Sequence, residues 1–534
     1  MINNIFNSYI KELHKINPTI NDFFLKEEWN KNKGIQPNIY SDTYSKKLLS
    51  LKKKYLKKLN NTKKLSFQEK IMKNDLHYSI LFEKERLNIY YYMPINTKDN
   101  ILIDYVSLSS GQDIYTFKTK EDYHFFLQRL KSLTEITDEI IKKMKMGIQK
   151  KVTLDKQTID VMISTINDIF KNRSYQHKKK ILISKKKWND SIQKYLIKNL
   201  QKLNNFLTFD YYQYSSKLCG IHQYKGGKDL YRHAVKYNTF KELTPEKIHQ
   251  LGFRELKRAI NEKKLLEKKL NKGDIDKYII NQKQDYYKDK KDIINDIHKI
   301  KKEINDHIFP KYFHGIIQKK DDYIIKSVRL ENKNHFAYYR SKNLKGSVKG
   351  TFFINTFIPQ KIYKHELYVL TLHEGIPGHH YEVNLHINMD RPDYFKSMLY
   401  SSYSEGWALY CESLGKFNNI KRKYFLINYN LLRSIRLIID TGLHYYGWSY
   451  NKCFNFMKKY INHSDGAIHS SIIRYINNPC QALTYKIGEK TILYLKDRYL
   501  RNGGNIKDFH KIIMGIGPCP IGFLLDYFLE NEKA

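Results

Sequence analysis

Five cysteines in 534 residues (Cys219, Cys411, Cys453, Cys480 and Cys519) exclude a disulfide-built scaffold. Their number is odd and no two form a C-x-x-C, so reduced thiols in a cytoplasmic compartment are expected. No stretch approaches ~18 uninterrupted apolar residues, which argues against a transmembrane helix and against membrane insertion. The opening Met1-Ile2-Asn3-Asn4-Ile5-Phe6 lacks a basic segment leading into a long apolar run, so no signal peptide is expected. Acidic side chains are also short in supply. There are 54 Asp+Glu against 95 Lys+Arg, for a net charge of +41. A nucleic-acid site would gather Arg and aromatic residues on one face. Here the excess is mostly Lys, scattered beside Asn, Ile and Tyr, as in an AT-rich coding sequence. That pattern predicts salt-dependent adsorption to anionic surfaces and no specific nucleic-acid partner.

What the chain has in quantity is helical periodicity. A prior of roughly 150 residues per domain gives three or four domains. Large helical enzymes often break that prior by forming two lobes around one cleft, and long charged helices with thin apolar stripes suggest a mostly α chain with a surface-rich helical lobe. The expected division is an N-terminal helical lobe over 1–205 and a metal-site helical region over 206–534, forming one continuous unit. Ile5, Tyr9, Leu13 and Ile16 predict a first helix stopped by Pro18. Further helices are expected over 48–62, 122–131 and 138–150. The run Lys178-Lys179-Lys180 with Lys185-Lys186-Lys187 reads as a solvated face. Thr244 is an N-cap with Pro245 at the first helical position, although Lys247 leaves the capping box incomplete. Residues 262–308 read as a long exposed helical hairpin. The β-branched and aromatic runs 323–325 and 351–356 are the strand candidates. Helices resume from 361 to about 500.

The chemistry concentrates in Leu372-His373-Glu374-Gly375-Ile376-Pro377-Gly378-His379-His380. A peptidase zinc site usually sets two His at i and i+4 on one helix, with Glu after the first as general base. Here the fourth residue after His373 is Pro377, and the next histidines fall at i+6 and i+7. At i+6 a straight helix presents the wrong face, and at i+7 the ring lies about 10 Å further along the axis. The helix must therefore deform. Pro377 lacks the N–H that would bond the His373 carbonyl, and Gly378 takes backbone angles closed to other residues. A bulge there returns His379 or His380 to the ion, with His379 preferred because it follows the bulge directly. Glu405 supplies a third ligand, leaving one position open. Glu412, seven residues on along an apolar helix, shares its face and suits orienting a His ring. Glu374 takes a proton from the attacking water and delivers it to the leaving amine.

These residues, together with Glu405-Gly406-Trp407-Ala408-Leu409-Tyr410, resemble the bacterial domain-of-unknown-function family 885. Arg436 to His444 with Gly447-Trp448, Pro479 to Gly488, Leu243 to Leu256 and Gly350 to Thr356 carry the same resemblance. It is strong from about residue 200 and loose before. The chain departs from it at Cys480, where the family usually has Gly. The family is similar to zincin metallopeptidases with a Glu third ligand, closest in layout to the thimet-oligopeptidase type. That implies a two-lobed helical zincin-like fold with a deep cleft. It also implies one zinc per chain on His373, His379 and Glu405, with Glu374 as base.

Secondary candidates complete the expectation. Arg436, Asp440, His444 and Trp448 are spaced by four on one helix face, so Asp440 is placed to orient His444, as a substrate-facing group or as packing behind the site. Tyr485 is the oxyanion-donor candidate, and Arg474 the candidate for a substrate carboxylate. Phe353 and Asn355 lie on a strand that an extended substrate would pair with by edge addition. The leading expectation is a zinc metallopeptidase for short peptides. The alternatives are a non-catalytic helical binding protein that keeps the motif and, last, a charge-driven nucleic-acid binder. Oligomeric state has no signature in the sequence.

Overall fold

In the computed structural model the described residues are 4–19, 34–111, 117–178, 180–239, 243–271, 273–315, 322–328, 336–342, 349–392, 395–396, 398 and 400–531. They are mostly α-helical, with one three-stranded sheet. Two compact units emerge. The first comprises Met1–Tyr237, Leu443–Lys452 and His469–Pro479, and the second comprises Asn238–Gly442, Cys453–Ile468 and Cys480–Ala534. The expected boundary at 205/206 falls inside the first unit. The helical course continues past it as a π-helical segment, Phe206–Tyr211, whose Phe206, Leu207 and Tyr211 are buried.

The first unit opens with a helix at Asn4–Ile16, as expected, but its buried stripe is Phe6, Tyr9 and Leu13, one residue out of phase at the start. The two helices expected over 122–131 and 138–150 are one, α1 (Lys120–Lys150). A Thr119–Asp122 capping box starts it, and left-handed Lys151 ends it. Between the expected pieces there is no Gly or Pro. Leu130, Leu133, Ile136, Ile140 and Met144 keep one buried stripe running through. Trp188 stacks on Phe126 of that stripe, with ring centroids 5.3 Å apart. Lys185, Lys186 and Lys187 are solvent-exposed, and Lys179 lies outside the described residues.

The second unit begins with α2 (Pro245–Leu270). The Thr244 hydroxyl accepts the Lys247 N–H at 3.3 Å, and Pro245 fills the first position. The exposed hairpin expected over 262–308 is instead α2's end, a short helix Ile275–Ile280 and a helix Lys290–His307. Ile275, Ile279, Ile293, Ile297 and Ile304 are buried, so a full isoleucine stripe sits beneath the lysines. Strands β1 (Ile324–Ser327), β2 (Ala337–Arg340) and β3 (Thr351–Ile354) form a sheet in the order β1-β3-β2. β3 is parallel to β1 and antiparallel to β2. All four β3 residues are buried, as a central strand requires.

Helices α3 (Glu366–Glu374), α4 (His379–Asn388), α5 (Ser401–Glu412), α6 (Ile420–His444) and α7 (Gln481–Arg501) follow. α5 is buried nearly all round. It meets α7 backbone to backbone. A Cβ placed on Gly406 would lie 2.5 Å from the Gly488 Cα, and one on Gly488 would lie 2.8 Å from the Gly406 Cα. That crossing fixes the N-terminal half of α5, where Ser404 and Glu405 reside.

Candidate metal centre

α3 does not bulge at Pro377. It stops, and α4 begins afresh at His379. The connection contains a cis Ile376–Pro377 peptide. Gly378 presses against the end of α3, where an added Cβ would come within 2.6 Å of the His373 carbonyl carbon. The expected deformation is thus a full break, because Pro377 offers no N–H to continue the ladder and Gly378 alone tolerates the close approach. α5 holds the break in place. The Pro377 carbonyl accepts the Trp407 indole N–H at 2.9 Å and the Cys411 thiol at 3.5 Å.

The result brings His373 and His379 together from two helices. Their ring centroids are 4.8 Å apart and nearly perpendicular, at 88°. Glu405 Oε2 lies 3.6 Å from His373 Nε2 and 3.5 Å from His379 Nε2. The three ligand atoms fall within 4.8 Å of one another, the one such cluster of His, Cys, Asp or Glu among the described residues. His380 turns elsewhere. Its Nδ1 meets the Tyr339 hydroxyl of β2 at 3.0 Å, and its ring lies 4.7 Å from that of Tyr323.

Each ring is held from behind. His373 Nδ1–H donates to Glu412 Oε1 at 2.8 Å, and the Arg433 guanidinium donates to the same oxygen at 3.4 Å. Ser404 Oγ donates to Glu382 Oε2 at 2.9 Å and meets His379 Nδ1 at 3.3 Å. With its proton committed to the carboxylate, Ser404 can only accept from that ring. Both imidazoles therefore carry a proton on Nδ1 and direct Nε2 at the cluster. Glu405 Oε2 is buried and has no hydrogen-bond partner, a costly state for a carboxylate. Burial works against a charge on His373, but Glu405 and Glu412 outweigh it and lift its pKa to about 10. Glu405 is held far below the usual carboxylate range, the two rings overcoming its burial. Burial raises Glu382 to about 7, against the pull of His379 and Ser404.

These residues fit a divalent ion. Two imidazole nitrogens and one carboxylate make a three-ligand set with room for a fourth partner. Bonds of ~2 Å in a tetrahedron separate ligand atoms by roughly 3.3 Å, close to the 3.5 and 3.6 Å found. A bound cation would give the orphaned Glu405 oxygen a partner and would offset the negative charges of Glu374, Glu382, Glu405 and Glu412. Glu374, 8% exposed, has no hydrogen-bond partner among the described residues. Its negative charge acts on both imidazoles.

The other expected site residues fare differently. Tyr485 is buried on α7 with the Arg436 guanidinium 4.5 Å above its ring. His444 and Arg474 belong to the first unit, whereas the cluster belongs to the second. His444 is fully buried and spends both nitrogens on backbone: Nε2–H donates to the Tyr475 carbonyl at 2.9 Å and Nδ1 accepts the Ile221 N–H at 3.2 Å. No nitrogen remains for substrate, so His444 is a packing residue. Its expected orienter, Asp440, instead accepts the Cys480 N–H at 3.1 and 3.2 Å. Cys480 adopts φ 70, the left-handed region glycine enters freely. Trp448 lies beyond the end of α6. Edge addition to β3 is closed off, because β1 and β2 occupy both its edges. Phe353 is buried against Tyr338, with ring centroids 4.9 Å apart, and the Asn355 side chain accepts the Phe357 N–H at 3.1 Å.

Sequence reasoning missed Glu382, Ser404 and Arg433. A signal for Glu382 existed, since it stands three residues after His379 and so on the same helix face. The other two come together only through tertiary packing.

Among the described residues no helix is long and apolar enough to cross a membrane. All five cysteines are free and buried. No curated protein matches the chain. Among solved structures, a "putative lipoprotein" from Colwellia psychrerythraea superposes with a TM-score of 0.85 at 21% identity, covering 99% of this chain and 98% of that one. A "putative lipoprotein of unknown function" from Shewanella oneidensis gives 0.73 at 15% identity, covering 98% and 99%. These likenesses establish the fold, and the expectation of a cytoplasmic location draws no support from them. The model of the family "Bacterial protein of unknown function (DUF885)" matches residues 31–526. The chain belongs to that family.

Proposed function

We propose that this protein is a zinc-dependent peptidase for short peptides, with one zinc per chain on His373, His379 and Glu405. The observation that carries the reading is the convergence of two Nε2 atoms on a buried Glu405 oxygen that has no hydrogen-bond partner, with Glu374 next in sequence to His373. The resemblance to Glu-ligand zincins supports it.

Bound zinc supplies Lewis acidity to the scissile carbonyl and to the attacking water. Glu412 and Ser404 keep the two rings in the tautomer that faces the cluster. Glu374 accepts the proton of the attacking water and returns it to the leaving amine. Tyr485 is assigned as hydrogen-bond donor to the carbonyl oxygen as charge develops there.

Zinc stoichiometry and digestion of a peptide library test the reading. One zinc per chain is expected, with hydrolysis of some library members. Glu374→Gln should keep the zinc and lose on the order of 100-fold or more in rate. A wild-type protein that takes up no zinc ends the reading. A protein that binds zinc and cleaves nothing favours the non-catalytic binding protein.

A further inference from the structure

Ser404 departs from the habit of its neighbours. In the same unit Thr371, Ser434, Thr441 and Thr491 each turn their hydroxyl back to the carbonyl four residues earlier, the usual resting place for a helical hydroxyl. Ser404 sits in the first turn of α5 with that option open, yet gives its proton to Glu382 and faces His379 Nδ1. Glu382 is 3% exposed, and Ser404 is its one hydrogen-bond partner among the described residues. A single neutral hydroxyl is poor company for a buried carboxylate. It becomes good company when the hydroxyl passes the negative charge on to an imidazole bound to a cation.

From this geometry we infer that Ser404 and Glu382 are positioning residues forming one relay, carboxylate to hydroxyl to His379, that fixes the ring's tautomer and direction. The two ligand rings are thereby supported differently: His373 by direct contact with Glu412, and His379 through an intervening hydroxyl. The inference rests on the metal-centre reading and adds to it the chain that makes His379, the ligand from the second helix, competent.

Zinc affinity measured by competition with a chromophoric chelator tests the relay without reference to hydrolysis. Ser404→Ala and Glu382→Gln should each weaken zinc binding by about 10-fold or more. The double variant should be no worse than the poorer single, because either change breaks the same relay. Ser404→Thr, which keeps the hydroxyl, should bind within about 3-fold of wild type. Circular dichroism and thermal melts verify that each variant is folded. If folded Ser404→Ala or Glu382→Gln holds zinc within 2-fold of wild type, the relay is refuted while the metal centre stands. Additive losses in the double variant also refute it. If wild type itself binds no zinc, the metal-centre reading and the relay fall together.

Discussion

Gly378 occupies a point where the backbone of the helix carrying His373 nearly touches that of the helix carrying His379. A methyl group there would meet the His373 carbonyl carbon at 2.6 Å, so either α3 or α4 must move. Gly378→Ala should cost at least about 10-fold in zinc affinity, since a displaced ring is a lost ligand. Gly466→Ala provides the control. No atom lies within 4 Å of its Cβ position, and it sits in the first turn of a helix, Asp465–Asn477. That change should leave zinc binding untouched and stability equal or raised by up to about 1 kcal/mol. Equal zinc affinity in the two variants would remove Gly378 from the site. At this scale the sequence was legible where spacing carries the chemistry. The i+6 and i+7 histidines called for a deformation, expected as a bulge within one helix, and the structure has two separate helices instead. His444 was not legible, because its fate depends on two backbone groups, Ile221 N–H and Tyr475 C=O, that are distant in sequence. Burial lowers its pKa from 6.5 to about 4. Between those values the unfolded chain binds the proton and the folded one resists it, so this stabilisation is complete above pH 6.5 and is lost as pH falls toward 4. Gln retains a donor and an acceptor but does not titrate. The stability advantage of wild type over His444→Gln should therefore shrink by up to about 3 kcal/mol between pH 7 and pH 4. Urea titrations of both proteins at the two pH values measure this, and a constant difference would contradict it.

Elements were read with more success where local composition alone decides the outcome. The run Thr351–Ile354 is apolar on both faces and became the central strand. β2 (Ala337-Tyr338-Tyr339-Arg340) alternates too weakly to be seen, and pairing with β3 defines it. Lys120–Lys150 was split in expectation because its middle is polar, yet unbroken burial of Leu133 and Ile136 made it continuous. The approach of α5 and α7 could not be read at all, since Gly406 and Gly488 are unremarkable until they face each other. It is a tight restraint. Gly488→Ala inserts a methyl 2.8 Å from the Gly406 Cα, and overpacking of this kind costs about 1–3 kcal/mol. Because α5 carries Ser404, Glu405 and Glu412, zinc affinity should fall alongside stability. Thermal melts with and without chelator separate the two effects. A variant as stable as wild type would show that the crossing yields easily.

For the whole molecule, the net charge of +41 is the dominant long-range quantity. Like charges across a folded surface repel, and salt screens that repulsion within about 10 Å at 0.1 M. Raising sodium chloride from 50 to 500 mM should therefore increase the melting temperature, by on the order of 2 °C or more. A fall would mean that the ion pairs, such as Arg422–Glu303 at 2.7 Å, outweigh the repulsion. The mostly helical architecture was evident from composition and period. The division into units was not, because the chain crosses between them several times.

Ligands drawn from one helix would leave an ion attached to a single rod. Here the candidate ligands come from α3, α4 and α5, so an ion at their meeting point would act as a cross-link. It would tie together three segments of one chain and close the loops between them, much as a removable covalent bridge does. Metal supply would then act as a folding variable as well as a chemical one. Chelation should be felt first as a loosening of those three helices against each other.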